Sequence, residues 1–234
     1  MQAVILAGGL GSRLKPFTEI IPKPLLPVGE KSVLEIQINR LKMHSFNEIF
    51  LATNYKSEYI QNFFGDGLKL GVRLTISKET TPLGTCGPLS LLKNELRHPF
   101  LVMNGDILTT ANFTKIYNFA LSINSDFTVV TKEIVTPFEF GNVYSKGDYI
   151  YKVEEKPNIK TEIVAGIYIL KPPVLKLIPD NQYFGMDDLM KTMLSKKMAV
   201  ARYLLIEYWI DIGRIEDYHK AELVYNKHFK DPEK

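Results

Sequence analysis

The run Leu6-Ala7-Gly8-Gly9-Leu10-Gly11-Ser12-Arg13-Leu14, with Pro22-Lys23-Pro24-Leu25 behind it, places three glycines and two cations in one short stretch. The glycines let the backbone turn sharply and present N–H groups to an anion, because no Cβ blocks the approach. Arg13 stands at a spacing that folds a planar, permanently charged fork over the same anion, and Lys23 adds a compact second charge. The chemistry predicted is phosphate binding. The glycines by themselves are equally consistent with a plain turn between strand and loop. A dinucleotide fingerprint needs a third spaced glycine and an immediate helix, which Pro16, Pro22, Pro24 and Pro27 forbid. A P-loop needs Gly-Lys-Ser/Thr after four spacers, and none is present.

Further along, chemistry-bearing residues stand where strands are expected to end. Phe100-Leu101-Val102-Met103 is a fully apolar strand that runs into Asn104-Gly105-Asp106, so Asp106 falls at the carboxyl edge where ligands sit in open parallel sheets. An aspartate capping the next helix is the competing reading, but that helix is expected to start later, near Ala111 or Asn112. Asp211, in Trp209-Ile210-Asp211-Ile212-Gly213, is a carboxylate among apolar residues. Glu79 opens the polar turn Glu79 to Leu89, which also reads as a simple loop starting a helix that runs to about Lys93. Glu154-Glu155-Lys156-Pro157, closing a hairpin, reads by itself as a solvated face. The four histidines show no metal-ligand spacing.

Positioning these residues falls to alternating strands and helices. Met1–Ala7, Glu48–Thr53, Val72–Ile76, Phe100–Met103 and Phe127–Thr131 read as strands; Lys31–Met43 (capped by Ser32), Lys56–Phe64 and Asn112–Ser122 read as helices. Such interleaving predicts right-handed crossovers and a mostly parallel, Rossmann-like sheet flanked by helices, an α/β fold. From Phe138 the pattern changes to an antiparallel hairpin turning at Lys146-Gly147-Asp148. A strand over Glu162–Leu170, helices over Pro172–Leu177 and Met186–Leu194, a strand over Met198–Leu205 and a helix from Ile215 complete the chain, with a polar tail over Asn226–Lys234.

The 234 residues are 45% hydrophobic with a formal charge of +3 and one cysteine. One domain over 1–234 is expected, in two parts over about 1–132 and about 133–225. The small, dispersed charge argues against a nucleic-acid partner. Cys86 cannot form an internal disulfide and reads as a packing residue. No apolar run approaches the roughly 18 residues of a membrane span and no leader is apparent, so the expected place is the cytoplasm, away from membranes.

Read together, Leu6 to Thr18 and Pro22 to Leu25 spell Leu-Ala-Gly-Gly-x-Gly-x-Arg-Leu-x-Pro-x-Thr and Pro-Lys-Pro-Leu, which resembles the signature of the sugar nucleotidyltransferases, the NDP-sugar pyrophosphorylases. The Glu79-x-x-Pro82-Leu83-Gly84-Thr85 form is most similar to the mannose-1-phosphate and heptose-phosphate guanylyltransferase-like members. The resemblance reaches about Lys220. It implies a GT-A-like nucleotidyltransferase fold with a small antiparallel sugar-binding extension, the part over about 1–132 holding the nucleotide and the part over about 133–225 the sugar phosphate.

It also implies a reaction of nucleotide-sugar and polysaccharide biosynthesis. An NTP and a sugar 1-phosphate give an NDP-sugar and pyrophosphate, with Mg²⁺ as cofactor. Arg13, Lys23, Asp106 and Asp211 would be catalytic, the two aspartates holding the metal. Leu6, Ala7, Gly8, Gly9, Gly11, Ser12, Arg13, Glu79, Pro82, Gly84 and Thr85 would hold the nucleotide, and Gly141, Glu155, Lys156 and Gly166 the sugar phosphate. Guanine offers two adjacent donors to Glu79 where uracil and thymine offer one, which favours GTP and leaves UTP and dTTP as alternatives. Val164 stands where many relatives carry asparagine, which removes one polar sugar contact. A non-catalytic sensor of nucleotide or sugar phosphate and an NAD-dependent oxidoreductase are the readings from other classes. No appended β-helix is expected after the last helix, and the oligomeric state stays open.

Overall fold

The computed structural model describes residues 1–230. Its centre is a seven-stranded sheet in the order β12-β8-β11-β6-β1-β4-β5. The first half supplies β1 (Gln2–Leu6), β4 (Glu48–Thr53), β5 (Arg73–Lys78), β6 (Phe100–Asn104) and most of β8 (Phe127–Pro137). The second supplies β11 (Asn158–Leu170) and β12 (Val200–Leu205). β11 is antiparallel to both β6 and β8, while the other neighbours run parallel. A mostly parallel α/β sheet is what the alternation of elements predicts.

Both faces of the sheet are covered, which explains the near-continuous apolar strands. Within β1, Ala3 and Ile5 pack on one side and Val4 on the other, because successive side chains alternate. On the first side lie α2 (Val33–Met43), α3 (Ser57–Phe64) and α4 (Phe113–Ser122), through Leu34, Ile38, Ile60 and Phe113. On the second lie α5 (Met186–Ser195) and the 3-10 turns Gly87–Leu92 and Pro172–Leu177. The sequence predicts α-helices over these two segments, and the structure winds them as short 3-10 turns of six residues each. The caps follow local chemistry. Ser32 Oγ accepts from Glu35 N–H at 3.2 Å and Asn112 Oδ1 from Lys115 N–H at 2.9 Å.

The remaining elements are small and frame the carboxyl edge. The proline-rich stretch forms the short α1 (Phe17–Ile20) between two 3-10 turns, followed by the paired β2 (Pro27–Val28) and β3 (Lys31–Ser32). β7 (Ile107–Thr109) pairs antiparallel with β13 (Trp209–Asp211), an interaction absent from the sequence reading. β9 (Asn142–Lys146) and β10 (Tyr149–Glu154) form the expected hairpin and pair only with each other. α6 (Ile215–His228) packs its Tyr218, Ala221 and Tyr225 against Leu14, Val28 and Ile212. The expected polar tail from Asn226 is helical to His228, and 231–234 lie outside the described residues.

Register brings the strand ends together: Leu6 stands opposite Ala52 of β4 and Asn104 of β6. The segments leaving β1, β4, β5 and β6 therefore emerge side by side at one edge.

Candidate functional site

Two adjoining cavities occupy that edge. The first, about 280 Å³, is walled by the glycine loop together with Arg13, Lys23, Asp106 and Gly213. The second, about 370 Å³, lies over Gly8, Glu79, Pro82, Gly84 and Thr85. Leu6, Gly9, Leu10 and Asp106 line both, so the two form one groove. Its volume is in the range of small-molecule sites.

All the nucleotide-side residues expected from the sequence fall in this groove. Leu6, Ala7, Gly9, Gly11, Ser12 and Arg13 line the first cavity, and Gly8, Glu79, Pro82, Gly84 and Thr85 the second. Gly11 adopts φ +64°, and Thr18 Oγ1 donates to its carbonyl at 2.8 Å. Lys56 Nζ holds the following turn by donating to the carbonyls of Glu19 and Ile20. The loop carrying Arg13 and Lys23 is thereby fixed at both ends.

Lys23 Nζ donates to Asp106 Oδ2 at 2.5 Å, with the lysine only 9% exposed. The Gly105-Asp106 turn is pinned from three directions. Gly105 N–H donates to Leu6 O at 2.9 Å, and Gln37 Nε2 donates to Asn104 O and Ile107 O at 2.9 and 2.7 Å. Ile212 N–H donates to Asp106 O at 2.9 Å, and this bond extends the β7–β13 pair and draws Asp211 beside Asp106. A Cβ on Gly213 would stand 3.4 Å from an Arg13 guanidinium nitrogen and 3.5 Å from Asp211 Oδ1. Glycine there lets cation and carboxylate close on the same backbone.

Burial pushes the Asp211 carboxyl above its ordinary range, and the charge of Asp106 pushes it further; Lys23 and Arg13 pull it partly back. Asp106 Oδ1 and Asp211 Oδ1 are both buried without a hydrogen-bond partner among the described residues. Paired carboxylate oxygens that no described residue satisfies are a donor set for a hard divalent cation. Two carboxylates suit Mg²⁺, which keeps most of its shell for water and phosphate, and no cluster of three or more metal-binding side chains exists among the described residues.

Glu79 is 7% exposed, and its Oε2 accepts from Leu83 N–H at 2.9 Å. Burial raises its pKa, against the lowering effect of that N–H and of the Asn54 side chain. A Cβ on Gly8 would meet Glu79 Oε1 at 2.8 Å, so the carboxylate lies directly under the glycine loop. Thr85 Oγ1 accepts from Met186 N–H at 2.9 Å.

The sugar-side candidates stand apart. Gly141 and Glu155 are neighbours, since a Cβ on Gly141 would be 3.1 Å from Glu155 Oε2, yet they and Lys156 are exposed and line neither cavity. Gly166, at φ +67° in the bulge of β11, lines neither cavity either, but it packs against a residue that lines the second: its missing Cβ would be 2.6 Å from Asn104 Nδ2. Val164 is exposed two residues earlier on the same strand. Buried Cys86, whose thiol is pushed up by burial, is packing.

Sequence reasoning missed Asn54, Tyr183 and Gln37. Asn54 follows β4 as Asp106 follows β6, so strand-end position was an available signal. Gln37, 2% exposed, hides inside the apolar face of α2, and Tyr183 belongs to no motif.

No helix among the described residues is long and apolar enough to cross a membrane. A probable mannose-1-phosphate guanylyltransferase 1 from Oryza sativa subsp. japonica is 35% identical over 235 aligned positions, covering 93% of this chain. The mannose-1-phosphate guanyltransferase of Yarrowia lipolytica is 34% identical over 96% of this chain. The chain spans about 63–64% of the length of these relatives. In structure it is similar to HddC from Yersinia pseudotuberculosis complexed with GMP-PN, with a TM-score of 0.76 at 27% identity over 96% of this chain and 99% of that one. A glucose-1-phosphate thymidylyltransferase structure from Bacillus anthracis shares the fold, with a TM-score of 0.81 at 23% identity over 100% of this chain and 98% of that one. The nucleotidyl transferase family model matches residues 2–228, and this chain belongs to that family.

Proposed function

We propose that this protein joins a nucleoside triphosphate, GTP in preference to UTP or dTTP, to a sugar 1-phosphate, releasing pyrophosphate and a nucleoside-diphosphate sugar. The observation that carries this reading is the single groove, with Arg13 and Lys23 at one end, Glu79 at the other, and two unsatisfied carboxylate oxygens beside the cations. The names of the relatives make mannose 1-phosphate the first sugar to test.

In the reaction, a phosphate oxygen of the sugar 1-phosphate attacks the α-phosphorus, and the bond from that phosphorus to the bridging oxygen of pyrophosphate breaks on the opposite side. The nucleophile is already an anion, so no general base is required and the work is positioning and charge neutralisation. The backbone N–H groups of the glycine loop and the Arg13 fork hold the β- and γ-phosphates as pyrophosphate gathers charge. Lys23 turns its ammonium to the α-phosphate. Asp106 and Asp211 would hold Mg²⁺, which would supply positive charge to offset the charge of the phosphates. Glu79 selects the base, and Gly141, Glu155, Lys156 and Gly166 form the sugar side, with the halves 1–132 and 133–225 dividing the two tasks. Cytoplasm is the setting in which these substrates meet.

The test is magnesium-dependent pyrophosphate release with GTP, UTP, dTTP, CTP and ATP crossed against a panel of sugar 1-phosphates. Nucleotide binding without release under every combination would leave a sensor, and the transfer reading would be wrong.

A further inference from the structure

Part of the wall of the second cavity comes from a loop that carries none of the expected site residues. This loop, residues 178–185, is fastened at both ends. Lys93 Nζ donates to Ile178 O at 2.9 Å and pairs with Asp180 at 2.6 Å. At the other end Phe184 N–H donates to Leu83 O at 2.9 Å, while Phe184 O accepts from the N–H groups of Cys86 and Gly87 at 3.0 and 2.9 Å. Gly185 N–H donates to the Asp188 carboxylate at 2.9 Å as α5 begins.

Between these anchors Tyr183 reaches over the cavity. It is 73% exposed, and neither its ring nor its hydroxyl has a partner among the described residues. Tyr183 nevertheless rests closely on the floor of the site, since a Cβ on Gly84 would lie 3.2 Å from its Cε2 and 2.8 Å from Phe184 O. Gly84, at φ +81°, admits the ring where any side chain would push it out. An unpartnered aromatic face, carried on a loop fastened at both ends beside a cavity walled by Pro82 and Pro88, is a flat apolar contact surface with no competing partner to displace.

We propose that Tyr183 is the stacking face for the nucleobase, an assignment that rests on the nucleotide reading of the groove. Stacking is tolerant of base identity, because every base has a π-face. Tyr183 therefore supplies affinity, and Glu79 supplies the choice between bases. The base site is then assembled from loops of both halves of the chain.

The experiment is equilibrium binding of GTP, UTP and inorganic tripolyphosphate to the wild type, Tyr183→Ala and Tyr183→Phe, with thermal melts alongside. Tyr183→Ala is expected to weaken GTP and UTP by about 5- to 150-fold. It should leave tripolyphosphate binding and the melting temperature unchanged, and Tyr183→Phe should bind within about twofold of wild type because the ring is retained. A Tyr183→Trp variant should show tryptophan quenching by GTP beyond that of the wild type, whose own Trp209 serves as the reference. Wild-type GTP binding that Tyr183→Ala leaves intact, or no added quenching in a Tyr183→Trp variant that binds GTP, overturns the stacking assignment alone. Failure of the wild type to bind any nucleotide overturns both this assignment and the proposed function.

Discussion

Gly9 and Gly11 are two residues apart in the same loop, and the structure assigns them opposite sensitivities. At Gly11 the backbone sits at φ +64°, and an added Cβ would stand 2.7 Å from Thr18 Cγ2 and 3.3 Å from Lys23 Cβ. The left-handed conformation costs an L-residue about 1–2 kcal/mol. Displacing Thr18 also strains its bond to Gly11 O, worth about 1 kcal/mol net. Gly11→Ala should then destabilise by about 2–3 kcal/mol, a fall of roughly 4–12 °C in melting temperature for a chain of this size. Lys23 moves with Thr18, so turnover falls as well. At Gly9 an added Cβ meets nothing within 4 Å, and the residue lines both cavities. Gly9→Ala should hold stability within about 0.5 kcal/mol of wild type. Its methyl projects into space the nucleotide needs, and overpacking of about 1–3 kcal/mol appears only on binding. Circular-dichroism melts with nucleotide titrations separate the two effects. A wild-type melt and normal turnover for Gly11→Ala, or a destabilised Gly9→Ala, would refute the reasoning.

Three further outcomes follow from the same geometry. Arg13→Ala and Asp211→Ala should each lose about 10²–10³ in turnover while keeping native circular dichroism, and near-normal pyrophosphate release by either removes that residue from the mechanism. Asp211→Asn should melt higher than wild type at neutral pH. The native carboxyl is held above its ordinary range, so the unfolded chain ionises first and wild-type stability drops as pH rises from the ordinary to the raised value. The gap between variant and wild type should close below the ordinary carboxylate range; a gap that widens there contradicts the sign. Gln37→Leu strands the carbonyls of Asn104 and Ile107, which costs about 1–3 kcal/mol and loosens the Asp106 turn, so a lower melt should accompany a lower turnover. A fully active, fully stable Gln37→Leu would show the turn is held without it.

The residues that line the groove around the glycine loop were legible in the sequence because their constraints are local. Gly11 needs a left-handed backbone, the prolines break any helix, and Asp106 follows an apolar strand; each leaves its mark within a few residues. What was illegible depends on distant segments. Tyr183 acquires its place only because Phe184 bonds to Leu83, Cys86 and Gly87, about a hundred positions away. Gln37 sits on the buried face of α2, where periodicity allows only an apolar residue. It is accommodated because two carbonyls of the Asp106 turn await its amide. The β7–β13 pair is three residues long on each strand, too short to announce itself by alternation.

That short pair bears on how the site works. It places Asp211 beside Asp106 in a poorly solvated corner, where these two carboxylates and Asp217 repel one another and Lys23 and Arg13 offset that repulsion in part. If the purpose were stability alone, apolar residues would serve at least as well, since a buried ion cluster rarely outdoes good packing. Instead, each aspartate keeps one buried oxygen that no donor among the described residues satisfies, and Lys23 spends its ammonium on Asp106 rather than on the groove. Such an arrangement becomes favourable once a cation takes the carboxylate oxygens and a polyphosphate takes the lysine and arginine together. Neither ligand alone achieves that: a cation alone must compete with Lys23 for Asp106, and a polyphosphate alone meets two carboxylates. Cation and nucleotide affinities should therefore be strongly and reciprocally coupled, each measured by titration in the presence and absence of the other, and independent binding would show that the two carboxylates are held for some other reason.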